Sequence, residues 1–238
     1  MAARTGLVLL HGSELGAWIW ERVLPLLRSP ALALDLPGRG SPPAQRRALT
    51  FEDAVRHVAG TARAWSPVDG LVLVGHSASG VLVPPVAAEL PGQVRAVVFV
   101  AADVPAPGRS WLELRPAAQR LLLRGLYAVR PAGVLSPRGD VERSLCAGLD
   151  RPTTALVVAR RVPEPPAVLV GRPSTVELSV PAHVVVGAGD RAMSADAQAR
   201  STARLRDPVV HDVPGGHLPM LGAPAELAAL LDRIATSA

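Results

Sequence analysis

Apolar runs and amphipathic segments alternate from one end of the chain to the other. Residues 7–10, 31–34, 71–74 and 184–186 are continuous apolar runs, 94–100 is apolar apart from Arg95, and 209–213 reads as a short sixth strand. A strand that is apolar at every position, rather than at every second one, is buried on both faces, so these runs predict a parallel sheet covered by helices on both sides. The segments between them read as those helices. Residues 18–27 and 51–65 have helical spacing, and the second follows Thr50, a good N-cap with Asp53 three residues on. Residues 77–90 read as a helix closed by Pro91 and Gly92, and 223–235 as a final helix.

The rhythm stops between residues 104 and 180. Proline, arginine and leucine dominate there, and "WLELRPAAQRLLLRGLYAV" and "RPTTALVVARRV" read as short helices. A helical insertion between two strands of such a sheet is most often a cover over the active site. The 238 residues suit one domain, with 1–103 and 181–238 as its core and 104–180 as a helical lid. Leu121, Leu122, Leu123, Tyr127, Leu156 and Val157 on that lid would give a pocket apolar walls, although packing of the lid alone needs the same spacing.

Composition changes this picture little. With 49% hydrophobic and 19% charged residues the chain should fold. No apolar run approaches the roughly 18 residues that span a bilayer. Residues 1–5 lead straight into the first strand without a charged region and a long apolar one, so no leader is expected. The single cysteine, Cys146, excludes an internal disulfide, and a reducing cytoplasm is the expected setting. A net charge of +5 would fit a nucleic-acid binder, but the chain has no lysine and no asparagine, which is what GC-rich codon usage produces. Its arginines are scattered and aromatics make up 3%, so neither a basic stripe nor a stacking platform is present. No nucleic-acid or membrane partner is expected.

The candidate chemistry centres on Gly75-His76-Ser77-Ala78-Ser79-Gly80. A strand that turns at once into a helix lifts a serine hydroxyl above the sheet and sets the first helical N–H groups beside it. The turn needs small neighbours, which Gly75 and Ser79 are. The usual Gly-x-Ser-x-Gly pattern has serine in its last place here, with Gly80 one residue later. The plainer alternative, Ser77 as a helix cap only, would need neither His76 nor small flanking residues. A serine nucleophile needs a base. Of the six histidines, His217 lies in the glycine-rich loop Pro214-Gly215-Gly216-His217 between the last strand and the final helix. His57 falls mid-helix on a solvated face, His76 points away from the reaction, and His183 and His211 alternate with strand positions as structural or exposed residues. The base needs an acid to fix its tautomer. Asp190 follows residues 184–186 in Gly187-Ala188-Gly189-Asp190, with Asp103, just past 94–100, as its competitor. Backbone N–H groups of Ala78 and of Ser13, in the loop His11-Gly12-Ser13, are the expected oxyanion donors, with His11 structuring that loop. Metal-ligand spacings and the phosphate-loop pattern are absent, so no metal or cofactor is expected.

Taken together these residues resemble the α/β-hydrolase superfamily, and within it the compact branch of plant methyl-ester esterases, hydroxynitrile lyases and bacterial esterases. The resemblance lies in "LVLLHGSELGAWIWERVLPLL", "ALDLPGRG", "GHSASG", "VFVAADVPAPG", "CAGLDRPTTALVVARRVPEP", "VVVGAGDRAMS" and "VPGGHLPMLGAPAELAALL", and covers nearly the whole chain. It implies an α/β-hydrolase fold with a six-stranded, mainly parallel sheet, lacking two antiparallel strands of larger relatives. The order Ser, Asp, His is also that of the superfamily. Hydroxynitrile lyases of the branch carry lysine after the catalytic histidine and threonine after the first-strand histidine. Leu218 and Gly12 stand there, which argues against cyanohydrin cleavage. A serine at 77, rather than aspartate, argues against epoxide hydrolase and dehalogenase chemistry. The implied function is a serine hydrolase acting on a carboxylic ester, lactone or thioester of a small molecule with an apolar portion, as a monomer or homodimer. The alternatives are a non-hydrolytic lyase, cyclase or transacylase in a bacterial natural-product pathway, or a binding protein that keeps the triad. Glu14 and Asp103 stand where relatives often have uncharged or apolar residues. Either both face water or cap helices, or one binds a hydroxyl-rich or cationic group or acts as an extra acid or base. With Trp18 and Leu218 they are the candidate substrate-binding residues.

Overall fold

Six strands form one sheet in the computed structural model, which describes residues 4–65, 68–104, 106, 108–173 and 177–238. Residues 1–3, which enter the expectation about a leader, and Pro105 and Pro107 of the "VFVAADVPAPG" stretch lie outside them. The strands are β1 (Thr5–Leu10), β2 (Ala31–Leu34), β3 (Gly70–His76), β4 (Val94–Val100), β5 (Ala182–Val186) and β6 (Val209–Asp212). Their order is β2-β1-β3-β4-β5-β6, and every pairing is parallel. The helices are α1 (Pro43–Ala48), α2 (Phe51–Ala64), α3 (Val83–Ala88), α4 (Ala117–Val129), α5 (Arg138–Arg143), α6 (Arg151–Arg160), α7 (Pro166–Val170), α8 (Ala195–Thr202), α9 (Pro219–Gly222) and α10 (Pro224–Ser237). The parallel sheet is the one expected from the pattern of apolar runs, and its arrangement is the α/β-hydrolase fold that the resemblance implies. Among the described residues no helix is long and apolar enough to cross a membrane.

Both faces of the sheet are covered over its inner strands, which is why β1, β3 and β4 are almost wholly apolar, while β6 at the edge is largely exposed. Leu7, Leu9, Val72, Val74 and Val98 pack against Leu15, Ile19 and Trp20 and against Leu227, Leu231 and Ile234 of α10. Val8, Leu10, Leu73, Val97 and Phe99 pack on the other face against Phe51, Val55 and Val58 of α2 and Val83 and Val86 of α3. The chain after β1 therefore leaves to one face and the chain after β3 to the opposite one. Strand order reverses between these neighbours, and the crevice at such a reversal is where open α/β sheets place their sites. Leu10 pairs with Gly75, so Gly12 and Ser77 leave the sheet at the same level.

Two local expectations change. Residues 18–27 form not a helix but two 3-10 turns, Ala17–Trp20 and Leu24–Leu26, because Pro25 lacks an N–H and its ring excludes the carbonyl four residues earlier. The helix after β3 starts as a 3-10 turn, Ser77–Leu82, and becomes α-helical only at Val83, since Pro84 and Pro85 cannot donate to the preceding turn. The final helix expected at 223–235 is present as α10, with the short α9 set off before it at Ala223 by Pro224.

Residues between β4 and β5 contribute α4 to α7 and one isolated bridge, Val134 to Glu164. On α4 the inward stripe is Leu123, Leu126 and Tyr127, at helical spacing. Leu121 and Leu122 fall on the opposite side, 74% and 62% exposed, so they do not line a pocket as expected. Val157 is fully buried and Leu156 half exposed. Cys146 is buried among apolar side chains, and burial pushes its thiol up to about 11.

Candidate active site

Ser77 begins where β3 ends and has φ 54°, in the left-handed region that side-chain-bearing residues rarely adopt. Its surroundings enforce this. The carbonyl of Ser77 accepts a hydrogen bond from Asp103 N–H at the end of β4 (3.2 Å). A Cβ on Gly75 would lie 2.6 Å from Val83 Cγ2, and one on Gly80 only 2.4 Å from the Asp103 carbonyl oxygen. The positions where space is shortest are thus 75 and 80. Residue 79 has room for a side chain: Ser79 is buried and its Oγ donates to the His76 carbonyl (2.8 Å). The departure from Gly-x-Ser-x-Gly leaves the turn intact.

The loops after β5 and β6 meet backbone to backbone, with Gly189 N–H donating to Gly215 O (3.2 Å). That contact brings Asp190 and His217 together. His217 Nδ1–H donates to Asp190 Oδ2 (2.7 Å), which leaves Nε2 unprotonated and facing Ser77 Oγ at 2.9 Å. Asp190 Oδ1 also accepts the N–H groups of Ala192 and Met193, both at 2.8 Å. Burial pushes the Asp190 carboxyl up, but the hydrogen bond and charge of His217 and these two N–H groups outweigh it, so it lies below its ordinary value. The competing acid is elsewhere: the Asp103 carboxylate accepts from Trp111 Nε1 (2.6 Å) and from Arg115.

His76 does not face Ser77. It is buried and its Nε2–H donates to the carbonyl of His217 (3.0 Å), so it holds the backbone of the base. Burial, reinforced by the nearby His217, lowers it to about 3, and it is neutral. Sequence reasoning missed this support; the only signal was its place one residue before the serine.

The loop after β1 passes directly over Ser77: a Cβ on Gly12 would lie 2.9 Å from Ser77 Cβ. Buried His11 shapes it. His11 Nε2 accepts Leu36 N–H (3.0 Å), so the proton sits on Nδ1 and is donated to Gly12 O (2.9 Å). Leu15 N–H reaches the same carbonyl (3.3 Å). In a trans peptide the N–H points opposite its carbonyl, so Ser13 N–H is turned away from both. Neither Ser13 N–H nor Ala78 N–H has a partner among the described residues. Two unpaired backbone donors beside one serine are what a developing oxyanion requires. Ala78 itself packs with Tyr127, Val134 and Leu169, an apolar wall supplied by residues between β4 and β5.

The remaining candidates fall differently. Glu14 and Asp103 neither face water nor cap helices: both are buried and paired, Glu14 with Arg161 and Asp103 with Arg115. Carboxylates so engaged are not open to a hydroxyl-rich or cationic ligand. Trp18 is half-buried with the Arg160 guanidinium 4.7 Å above its ring, and Leu218 is fully buried in the core. His57 is exposed, its Nε2 on the Asp35 carbonyl (3.1 Å), while His183 and His211 face each other across β5 and β6 (Nδ1 to Nε2, 3.0 Å).

Comparison with known proteins places this geometry in context. The family model described as "Alpha/beta hydrolase family" matches residues 7–230. The chain is 41% identical over 107 residues to esterase PIR7B of Oryza sativa subsp. japonica, a match covering 43% of this chain and 40% of that protein. It is 34% identical over 107 residues to polyneuridine aldehyde esterase of Rauvolfia serpentina, again 40% of its length. The chain thus matches two-fifths of the length of these curated relatives. Among solved structures, an extracellular alpha/beta-hydrolase from a Paenibacillus species superposes with a TM-score of 0.86, covering 97% of this chain and 98% of that one at 18% identity. At that identity the likeness is one of fold.

Proposed function

The chain belongs to the alpha/beta hydrolase family, and on that premise we propose that it is a serine hydrolase cleaving a carboxylic ester, lactone or thioester of a small molecule. The observation that carries this reading is the line Ser77 Oγ, His217 and Asp190, joined at 2.9 and 2.7 Å beside two unpaired N–H groups. His217 Nε2 takes the Ser77 proton as Oγ attacks the carbonyl carbon. The carbonyl oxygen gains the negative charge and accepts from Ser13 and Ala78 N–H, donors worth about 10²–10³ in rate each. Asp190 stabilises the imidazolium through Nδ1–H. His217 then gives the proton to the leaving oxygen or sulfur, which departs as alcohol or thiol and leaves the acyl group on Ser77. Water, deprotonated by His217, releases the acid and restores the serine. Residues 104–180 act as the lid, and Tyr127, Val134 and Leu169 would receive an apolar part of the substrate. The relatives named as esterases support the bond class.

The test is intact mass after treatment with a fluorophosphonate, together with turnover of p-nitrophenyl esters. Wild type is expected to gain one adduct and Ser77→Ala none, with kcat/KM falling at least about 10⁴-fold in the variant. A folded wild-type protein that takes no adduct and turns over no ester would overturn the reading.

A further inference from the structure

We infer that Glu14 is a positioning residue that ties the loop carrying Ser13 N–H to the segment between β4 and β5; this rests on the serine-hydrolase reading above. Each polar atom of Glu14 is bound from that segment. Its N–H donates to Glu164 Oε2 (2.7 Å), and its carbonyl accepts Val162 N–H (2.9 Å). Its Oε1 accepts both Ser136 N–H (2.8 Å) and Ser136 Oγ–H (2.6 Å), and its Oε2 accepts Arg161 Nη1–H (2.8 Å). Glu164 is held in turn by Arg39 Nη2 (2.5 Å), while Arg39 Nε donates to the carbonyl of Leu15, the next residue of the same loop (2.5 Å).

These bonds are made out of water. The side chains of Glu14 and Arg161 are 10% and 6% exposed, and those of Glu164 and Arg39 still less. Charge-assisted bonds are strong in such surroundings, and a partner left alone is heavily penalised. The backbone adds an independent observation. Glu14 has φ 62°, a left-handed conformation that a residue with a side chain keeps only where its neighbours over-determine it. It directly follows Ser13, so this angle sets the course of the loop over Ser77. An oxyanion donor has to sit within about half an ångström of its productive place. Releasing Glu14 lets the turn relax towards ordinary angles and moves the donor.

Glu14→Gln keeps the size of the side chain but sets an amide where Arg161 requires a carboxylate. The double variant Glu14→Ala with Arg161→Met removes the side-chain part of the tie without leaving a lone charge and keeps a Cβ at 14, so the turn can still relax, and it serves if the single variant fails to fold. Three readouts are compared with wild type: turnover of a p-nitrophenyl ester, inhibition by a trifluoromethyl ketone that forms an oxyanion on Ser77, and amide hydrogen exchange of peptides spanning 11–16. The expected result is kcat lowered 10–100-fold with KM within threefold, a parallel rise in the ketone inhibition constant, and exchange at 11–16 at least tenfold faster while 70–76 is unchanged. Wild-type kcat and exchange in a folded variant overturn the inference, and so does a rise in KM alone, which would make Glu14 a substrate contact. Exchange does not depend on the chemistry. If wild type takes no fluorophosphonate and turns over no ester, the hydrolase reading fails by itself, and unchanged or faster exchange still decides against or for the tie.

Discussion

Ser77 holds its left-handed backbone at a cost of about 1–2 kcal/mol, as expected for a residue with a Cβ. Two variants that both lack the hydroxyl make this cost measurable. Glycine adopts the angle freely and alanine does not. Ser77→Gly is expected to be more stable than Ser77→Ala by about 0.5–1 kcal/mol, net of glycine's larger unfolded-state entropy. Urea unfolding of the pair checks it, and equal midpoints would mean that the turn is unstrained. At this scale much was legible. Ser77, Asp190 and His217 each stand in a short glycine-bearing stretch at the end of an apolar run, and that pairing of signals depends on local spacing alone. Glu14 and Asp103 were not legible. The partner of Glu14 lies 147 residues away, and no local pattern reports whether a carboxylate meets an arginine or water.

Among elements, the decisive contact is between the start of the helical turn after Ser77 and the end of β4. Gly80→Ala sets a methyl 2.4 Å from the Asp103 carbonyl, so the turn has to shift, at a cost of about 1–3 kcal/mol. The same shift carries Ser77 off His217, and labelling by a fluorophosphonate should slow together with the fall in melting temperature. Ser79→Gly loses the Oγ bond to His76 O and the longer one to Leu10 O (3.4 Å), together about 1 kcal/mol, and should label at close to the wild-type rate. Equal behaviour of the two variants would remove the close approach as the reason for glycine at 80. The elements with strong local rules were readable: α2 starts at Phe51 with the reciprocal Thr50 and Asp53 cap that its sequence spells out. Residues 18–27 and the two faces of α4 were not, because one proline and the choice of inward stripe outweigh helical periodicity there.

Taken whole, the molecule buries neutral imidazoles that its unfolded chain would protonate. His76 is lowered to about 3 by burial, and burial and then Arg39 lower His11 well below its ordinary value. Between the folded and unfolded pKa the unfolded state binds a proton that the native state refuses, so stability is full above about 6.5 and falls as the pH drops towards 3. From pH 7 to pH 5 His76 alone should remove about 2 kcal/mol. Chemical denaturation at the two pH values checks this, and His76→Gln should shrink the difference by about that amount, leaving the share of His11. A wild-type protein equally stable at both would show that water reaches the ring. The parallel sheet was legible because burial on both faces leaves a nearly continuous apolar record in the inner strands β1, β3 and β4, whereas the exposed β6 leaves a weaker one and the ties between loops leave none.

The burial of Cys146 has a further use. Its thiol is sealed in the core and stays protonated at neutral pH, and the chain has no lysine. To thiol-directed dyes and spin labels the folded protein is therefore blank. A cysteine placed at the exposed Leu122 would carry its label alone, and the mobility and surroundings of α4 would become a spectroscopic quantity that can be followed as ligands are added.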